Sequence, residues 1–170
     1  MKRIMMAAIA LLTFALYGCG SGDSGGTAGT APRSAVLKLS SAGTLTAGTS
    51  LAGINMKVQL PAGVTVSIDS SNAVNAGVVT ASGVAAVSSV TIVGYTPASG
   101  AVAATLEFLI TSNVAGGFGV GEFATVNCVI ATGHVPTVGD FILPAADFKP
   151  ADLLIQPVTG LTATLTATFN

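Results

Sequence analysis

Few residues of this 170-residue chain carry chemistry, and their spacing decides what they can do. His134 is the single histidine. As a general base it would need a Ser or Cys nucleophile beside it and a carboxylate behind it. Asp140 follows nearby, but GHVPTVG at 133–139 reads as a connecting loop, where a solvated histidine fits better. Zinc would need more ligands than His134 and the distant Cys128. Glu107 and Glu122 could in principle form a glycosidase pair, yet Glu107 falls on the outward face of a predicted strand. Asp140, Asp147 and Asp152 gather at the start of the last third, and hard oxygen ligands on loops can hold calcium. No EF-hand spacing appears there and Pro144 and Pro150 interrupt the segment, so solvated charge at a loop and sheet edge is the better reading. The GGFGVG run at 116–121 looks like a phosphate loop, but no Lys-Ser/Thr follows and a strand comes next, so no helix dipole is available. It reads as a bulge or a tight turn into that strand. Phe118 within it is either a core residue or an exposed binding anchor. No catalytic set emerges, and the chain is expected not to be an enzyme and to need no cofactor, calcium being the one ion its loops could take.

The composition points the same way. Once Lys2 and Arg3 are set aside with the N-terminal segment, four basic residues face seven acidic ones, and no basic cluster invites nucleic acid. Charged residues make up 8% of the chain, and Ala, Val, Thr, Gly and Ser dominate, as in an all-β extracellular domain. There is no Trp, and beyond the first 18 residues the aromatics are Tyr95 and six phenylalanines. Sugar binding by a planar aromatic strip would have to rely on Tyr95. Cys128 alternates with polar neighbours in ATVNCVI and reads as a buried small hydrophobe rather than a reactive thiol.

The elements that must position these residues are strands. Ile54, Met56, Val58 and Leu60 alternate without error against Asn55, Lys57 and Gln59, the pattern of a half-buried strand. Pro61, Ala62 and Gly63 turn the chain, and Val64, Val66 and Ile68 resume the alternation. Residues 69–72, DSSN, form a polar turn. Further strands are predicted over 36–40, 77–81, 90–95, 102–111, 122–130, 152–156 and 161–169, separated by Gly, Pro, Asn or Ser at sandwich-like intervals. The last reads LTATLTATF, with Thr on one face and apolar residues on the other, and is expected to close the fold beside the first strands. No repeat and no capped helical period is present. The expected architecture is an antiparallel jelly-roll β-sandwich of about 8–9 strands over residues 34–170.

The N-terminus tells where this sandwich works. Lys2 and Arg3 precede an uncharged apolar stretch, residues 4–16, that suits a signal sequence and is short for a membrane span. The ending Leu16-Tyr17-Gly18-Cys19 resembles the bacterial lipobox, with Tyr17 where a smaller residue is usual. That resemblance implies removal of 1–18 and acylation of Cys19, hence a lipid-anchored envelope protein. Residues 19–33 are Gly/Ser/Thr-rich and read as a flexible tether reaching about 20 Å. Gly20, in place of the Asp that retains Gram-negative lipoproteins at the inner membrane, implies the outer membrane in such a cell.

Three stretches carry a second resemblance: AGINMKVQL at 52–60, GFGVGEFATVNCVI at 117–130, and DFKPADLL at 147–154 leading into 161–169. Together they resemble the cohesin domain and related carbohydrate-binding modules, over about residues 35–169. The family implies an extracellular jelly roll that acts by binding. A cohesin-like module would hold a dockerin-like protein partner through a sheet face. The alternatives are a polysaccharide-binding module, which would depend on Tyr95, or a structural subunit of a surface assembly that associates through an uncovered strand; Tyr95 and Phe118 are the candidate binding residues.

Overall fold

A computed structural model describes residues 34–170. The predicted signal (1–18), Cys19 and the tether (19–33) lie outside the described residues. Alternating apolar residues draw the described residues into nine strands: β1 (Ser34–Gly43), β2 (Leu51–Leu60), β3 (Val64–Thr65), β4 (Val79–Ala81), β5 (Ser89–Thr96), β6 (Ala104–Thr111), β7 (Glu122–Ile130), β8 (Lys149–Asp152) and β9 (Leu161–Phe169). They form an all-β antiparallel sandwich. One sheet runs β3-β7-β1-β9 with β4 also on β7, and the other runs β5-β6-β2-β8. Every connection except β3 to β4 and β5 to β6 carries the chain across to the opposite sheet. The first and last strands pair antiparallel over nine residues with no slip, so β9 does lie beside β1.

Three predicted strands are corrected. Residues 152–156 form a tight turn, and the strand lies earlier, at β8. Pro150 sits inside β8 because this is an edge strand, where a missing N–H costs no ladder bond. The strand resumed at Val64 leaves β7 after Thr65, and β4 rejoins β7 further along, so β3 and β4 together form one interrupted edge. Val102 belongs to a turn bridged to Ser99, which delays the start of β6 to Ala104.

The interior follows the period-two pattern. Ile54, Met56, Val58 and Leu60 of β2 and Ala104, Leu106, Phe108 and Ile110 of β6 are buried from one sheet, and Ala35, Leu37 and Leu39 of β1 and Ala124, Val126 and Cys128 of β7 from the other. A register shift between Leu39 and Ser40 lets Phe123 and Ala124 both turn inward, the signature of a β-bulge. The Phe123 ring stacks on Phe148, with centroids 6.3 Å apart. Gly63, at φ 75°, permits the turn into β3 and leaves room for the His134 ring, which would collide with any Cβ there.

Cys128 is buried, and loss of solvation pushes its thiol up to about 12 from an ordinary 9.0. The thiol is therefore neutral and inert, as its setting in the sequence implied. Because the folded value lies above the unfolded one, the linked stability is complete below pH 9.0 and is lost as pH rises toward 12. Unfolding free energies from urea titrations between pH 8 and 10.5 should fall more steeply in the wild type than in Cys128→Ala, by about 1.4 kcal/mol per pH unit above 9. Equal slopes would show that the thiol does not feel the interior.

Candidate functional site

The residues singled out for chemistry are dispersed. Glu107 and Glu122 belong to different sheets: Glu107 pairs with Lys57 at 3.5 Å and Glu122 with Lys38 at 3.1 Å. Bonds from Ser82 and Lys38 hold the Glu122 carboxyl below its usual range. His134 is an exposed loop residue. Asp140 accepts the Thr137 N–H at 2.7 Å and its hydroxyl at 2.8 Å in a capping box, which lowers its pKa. Asp147 lies 3.9 Å from Lys57. Among the described residues no three His, Cys, Asp or Glu side chains converge as a metal site would require, and each carboxylate of the Asp140, Asp147 and Asp152 group has a local partner.

Phe118 is 6% exposed and packs in the core, so its anchor reading is replaced by its structural one. The glycines on either side place it there: its N–H and C=O exchange 2.9 Å bonds with Leu51, and Gly117 at φ 67° passes too close to Leu51 O for any Cβ. Tyr95 is half-buried on β5 against the same core, and desolvation raises its pKa. Neither ring lies open as a platform for a sugar.

What the sequence reading missed is the turn that follows β8. Asp152 Oδ1 accepts from the N–H of Leu154 at 2.8 Å and of Gln156 at 2.9 Å. The backbone closes the same loop, with Asp152 N–H to Gln156 O at 3.0 Å and Ile155 N–H to Asp152 O at 2.9 Å. This rigid frame lifts Leu153, Leu154 and Ile155 into solvent, at 47%, 78% and 74% exposure. Ile155 has φ 61°, a left-handed conformation that a β-branched residue adopts only under strain.

The chain builds the same frame a second time, in the polar turn at 69–73. Asp69 Oδ1 accepts from the N–H of Ser71 at 2.8 Å and of Ala73 at 3.0 Å, and Asp69 N–H reaches Ala73 O at 2.8 Å. There the residue at φ 65° is Asn72, a type suited to that region, and its companions are serines. Asn72 and Ile155 are the two non-glycine residues with positive φ among those described. The turn itself therefore does not call for Ile, Leu or Leu; those side chains are extra to its geometry.

Shallow depressions flank the tip. One, of about 350 Å³, lies on the outer face of the β5-β6-β2-β8 sheet, floored by Ala52, Gly53, Leu109 and Ala151 and walled by Ile155. It exists because the residues are small: a Cβ on Gly53 would stand 2.7 Å from Ile110 O. The other, of about 370 Å³, lies between the tip and residues 48–50. Polar groups border the apolar centre. Lys57, Glu107 and Asp147 form a linked row, and Asn55 donates to Glu107 at 3.3 Å. An apolar centre with a polar rim is the anatomy of a protein-docking patch.

No protein-family model matches the chain, and no curated protein or solved structure matches it. The site's own geometry is thus the ground for any functional reading.

Strain at Ile155 gives a direct test of the turn. Ile155→Asn, which copies the second turn, should raise folding stability by about 1 kcal/mol, read as a higher urea midpoint at unchanged m-value. A lower midpoint would mean that Ile155 packs for stability rather than for display.

Proposed function

We propose that this chain is an extracytoplasmic binding module, tethered to the envelope through an acylated Cys19, that holds a protein partner on the outer face of its β5-β6-β2-β8 sheet. The observation behind this reading is the pair of matched turns: one fold builds the frame with Ser-Ser-Asn where nothing is needed, and with Leu-Leu-Ile beside an apolar groove. Three aliphatic side chains held rigidly in water cost solvation and, at Ile155, strain. A partner that covers them recovers that cost without having to order the loop.

In this reading Leu154 and Ile155 enter a pocket of the partner, Ala52, Gly53, Leu109 and Ala151 receive one of its apolar side chains, and Lys57, Glu107, Asn55 and Lys149 set register at the rim. The resemblance to cohesins suggests a dockerin-like partner, whose own fold would depend on calcium. The aromatic residues favour protein over polysaccharide, since Phe118, Phe141, Phe148, Phe108 and Phe123 are in the core and Tyr95 is half-buried. The lipobox-like N-terminus supports the envelope location, at the outer membrane in a Gram-negative cell.

The test replaces Leu153, Leu154 and Ile155 by Ser, Ser and Asn, a change the fold already tolerates at 70–72. Wild type and variant are compared for capture from the parent cell's envelope and secreted fractions, with and without a calcium chelator. The wild type should retain one protein in stoichiometric amount, lost on chelation, and the variant should bind it about tenfold or more weakly. Equal capture by both, or recovery of polysaccharide instead, would overturn the assignment.

A further inference from the structure

The four sheet edges are not treated alike. A free edge offers unpaired N–H and C=O groups to any other strand, and proteins blunt it with charge, Pro, bulges or brevity. The β3/β4 edge is cut into two short pieces. The β8 edge has four residues, among them Lys149, Pro150 and Asp152. The β5 edge carries a bulge between Ile92 and Gly94. β9 has none of these devices: its nine residues contain no charge, Pro or Gly, and it pairs with β1 in one unbroken register. Among the described residues no backbone group bonds its outer side. Its inward residues Leu161, Leu165 and Phe169 are only half-buried, so the sandwich is left open along this edge.

We propose that β9 is a homodimerisation edge, pairing antiparallel with β9 of a second copy of this chain about a two-fold axis at Leu165. Two features on the strand select that occupant. First, a two-fold contact must be self-complementary, and LTATLTATF reads almost the same in both directions about Leu165. Leu161 meets the partner's Phe169, Thr162 its Thr168, Ala163 its Ala167, and Thr164 its Thr166. Threonines thus face threonines on the outer surface, a favourable cross-strand pairing, and apolar residues face apolar residues beneath. Absence of charge removes any like-charge repulsion.

Second, the hydrogen-bond parity fits. Ser34 and Asn170 exchange both backbone bonds at 3.0 Å, which makes Thr162, Thr164, Thr166 and Thr168 the residues bonded to β1. The N–H and C=O of Leu161, Ala163, Leu165, Ala167 and Phe169 therefore point to the free edge. These are the residues that the Leu165-centred register sets opposite one another, giving about ten new backbone bonds. A register displaced by one residue would set bonding groups against groups already used by β1. The dimer joins two sheets into one and covers the half-exposed apolar stripe of both copies. The strand offers nine residues per copy, fewer than the roughly 20–30 a side of a standard interface, so the dimer should form best where copies share a surface.

Disulfide trapping tests the register in cells that express the full chain with its own N-terminus. In the proposed pairing Thr164 and the partner's Thr166 form a close pair without mutual hydrogen bonds, with Cα atoms about 4.5 Å apart and within disulfide reach. Co-expressed Thr164→Cys and Thr166→Cys chains should give a cross-linked dimer at least tenfold above either variant alone. Thr162→Cys with Thr164→Cys, which the register keeps apart, should not. Cys128 is buried and contributes no background. Thr164→Lys/Thr166→Lys, which puts charge on the exposed face, should abolish chemically cross-linked dimer in an otherwise wild-type chain while leaving its circular dichroism and thermal midpoint unchanged. No dimer from the matched pair, or equal cross-linking of matched and mismatched pairs, would overturn the proposal. Capture by Leu153→Ser/Leu154→Ser/Ile155→Asn, read in the same cells, reports on the docking face separately, so either reading can fail without the other.

Discussion

Eight residue pairs join β2 to β6 without a slip, from Gly53 with Thr111 to Leu60 with Ala104, and both the interior and the proposed docking face depend on that register. On the inner side Ile54, Met56, Val58 and Leu60 meet Ile110, Phe108, Leu106 and Ala104. On the outer side Asn55, Lys57 and Gln59 meet Leu109, Glu107 and Thr105. A shift by one residue would reverse every side chain and send Lys57 inward, an unpaired charge no core of this kind can hold. The same alignment sets Lys57 3.5 Å from Glu107 and leaves Gly53 opposite Thr111, which opens the groove beside it. Core and surface patch are two faces of one ladder.

The turn at 152–156 shows how a site can be added without altering the fold. An Asp side chain bonding two backbone N–H groups is enough to fix a five-residue loop, as 69–73 demonstrates with serines and an asparagine. Once the frame is fixed, the side chains it lifts are free to vary. Leu153, Leu154 and Ile155 break two local rules together, apolar surface in water and a β-branched residue at positive φ. Other apolar residues are exposed singly, but among the described residues no other β-branched residue has a positive φ. Both departures falling within three adjacent residues, with the frame itself intact, support the proposed docking role better than a single exposed leucine would.

Legibility in the sequence followed the same physics. β2, β7 and β9 were readable to within a few residues at either end, because one face of each is apolar and the alternation is long. β8 was not: Pro150 argues against a strand wherever edge position is unknown, and the apolar Leu153-Leu154-Ile155 run imitates one. The turn at 69–72 announced itself through Asp, Ser and Asn, whereas its twin was hidden by residues of opposite character. A search for Asp followed two and four residues on by free N–H donors would have flagged both, but not which carried binding groups. Phe118 was ambiguous for a related reason, since a glycine-rich loop permits either inward or outward placement until Leu51 is known to bond it.

The open side of the sandwich ties these features together. β8 and β9 end the two sheets on the same flank, where Phe148, Pro150, Leu161 and Ala163 line a cleft between them. β8 is too short to cover β9, so Leu161, Leu165 and Phe169 remain half-buried although they belong to the inner face. A protein this poor in charge must leave few apolar surfaces uncovered if it is to stay dispersed. Three of its edges meet that demand through bulges, brevity or charged residues, and the fourth is self-complementary. Single valines such as Val87, Val93, Val102 and Val135 are also exposed elsewhere, but the three adjacent aliphatic residues of the 152–156 turn and the half-buried apolar stripe of β9 are continuous. Continuity of apolar surface, more than the exposure of any one side chain, is what sets the β9 edge and the turn apart from the scattered valines.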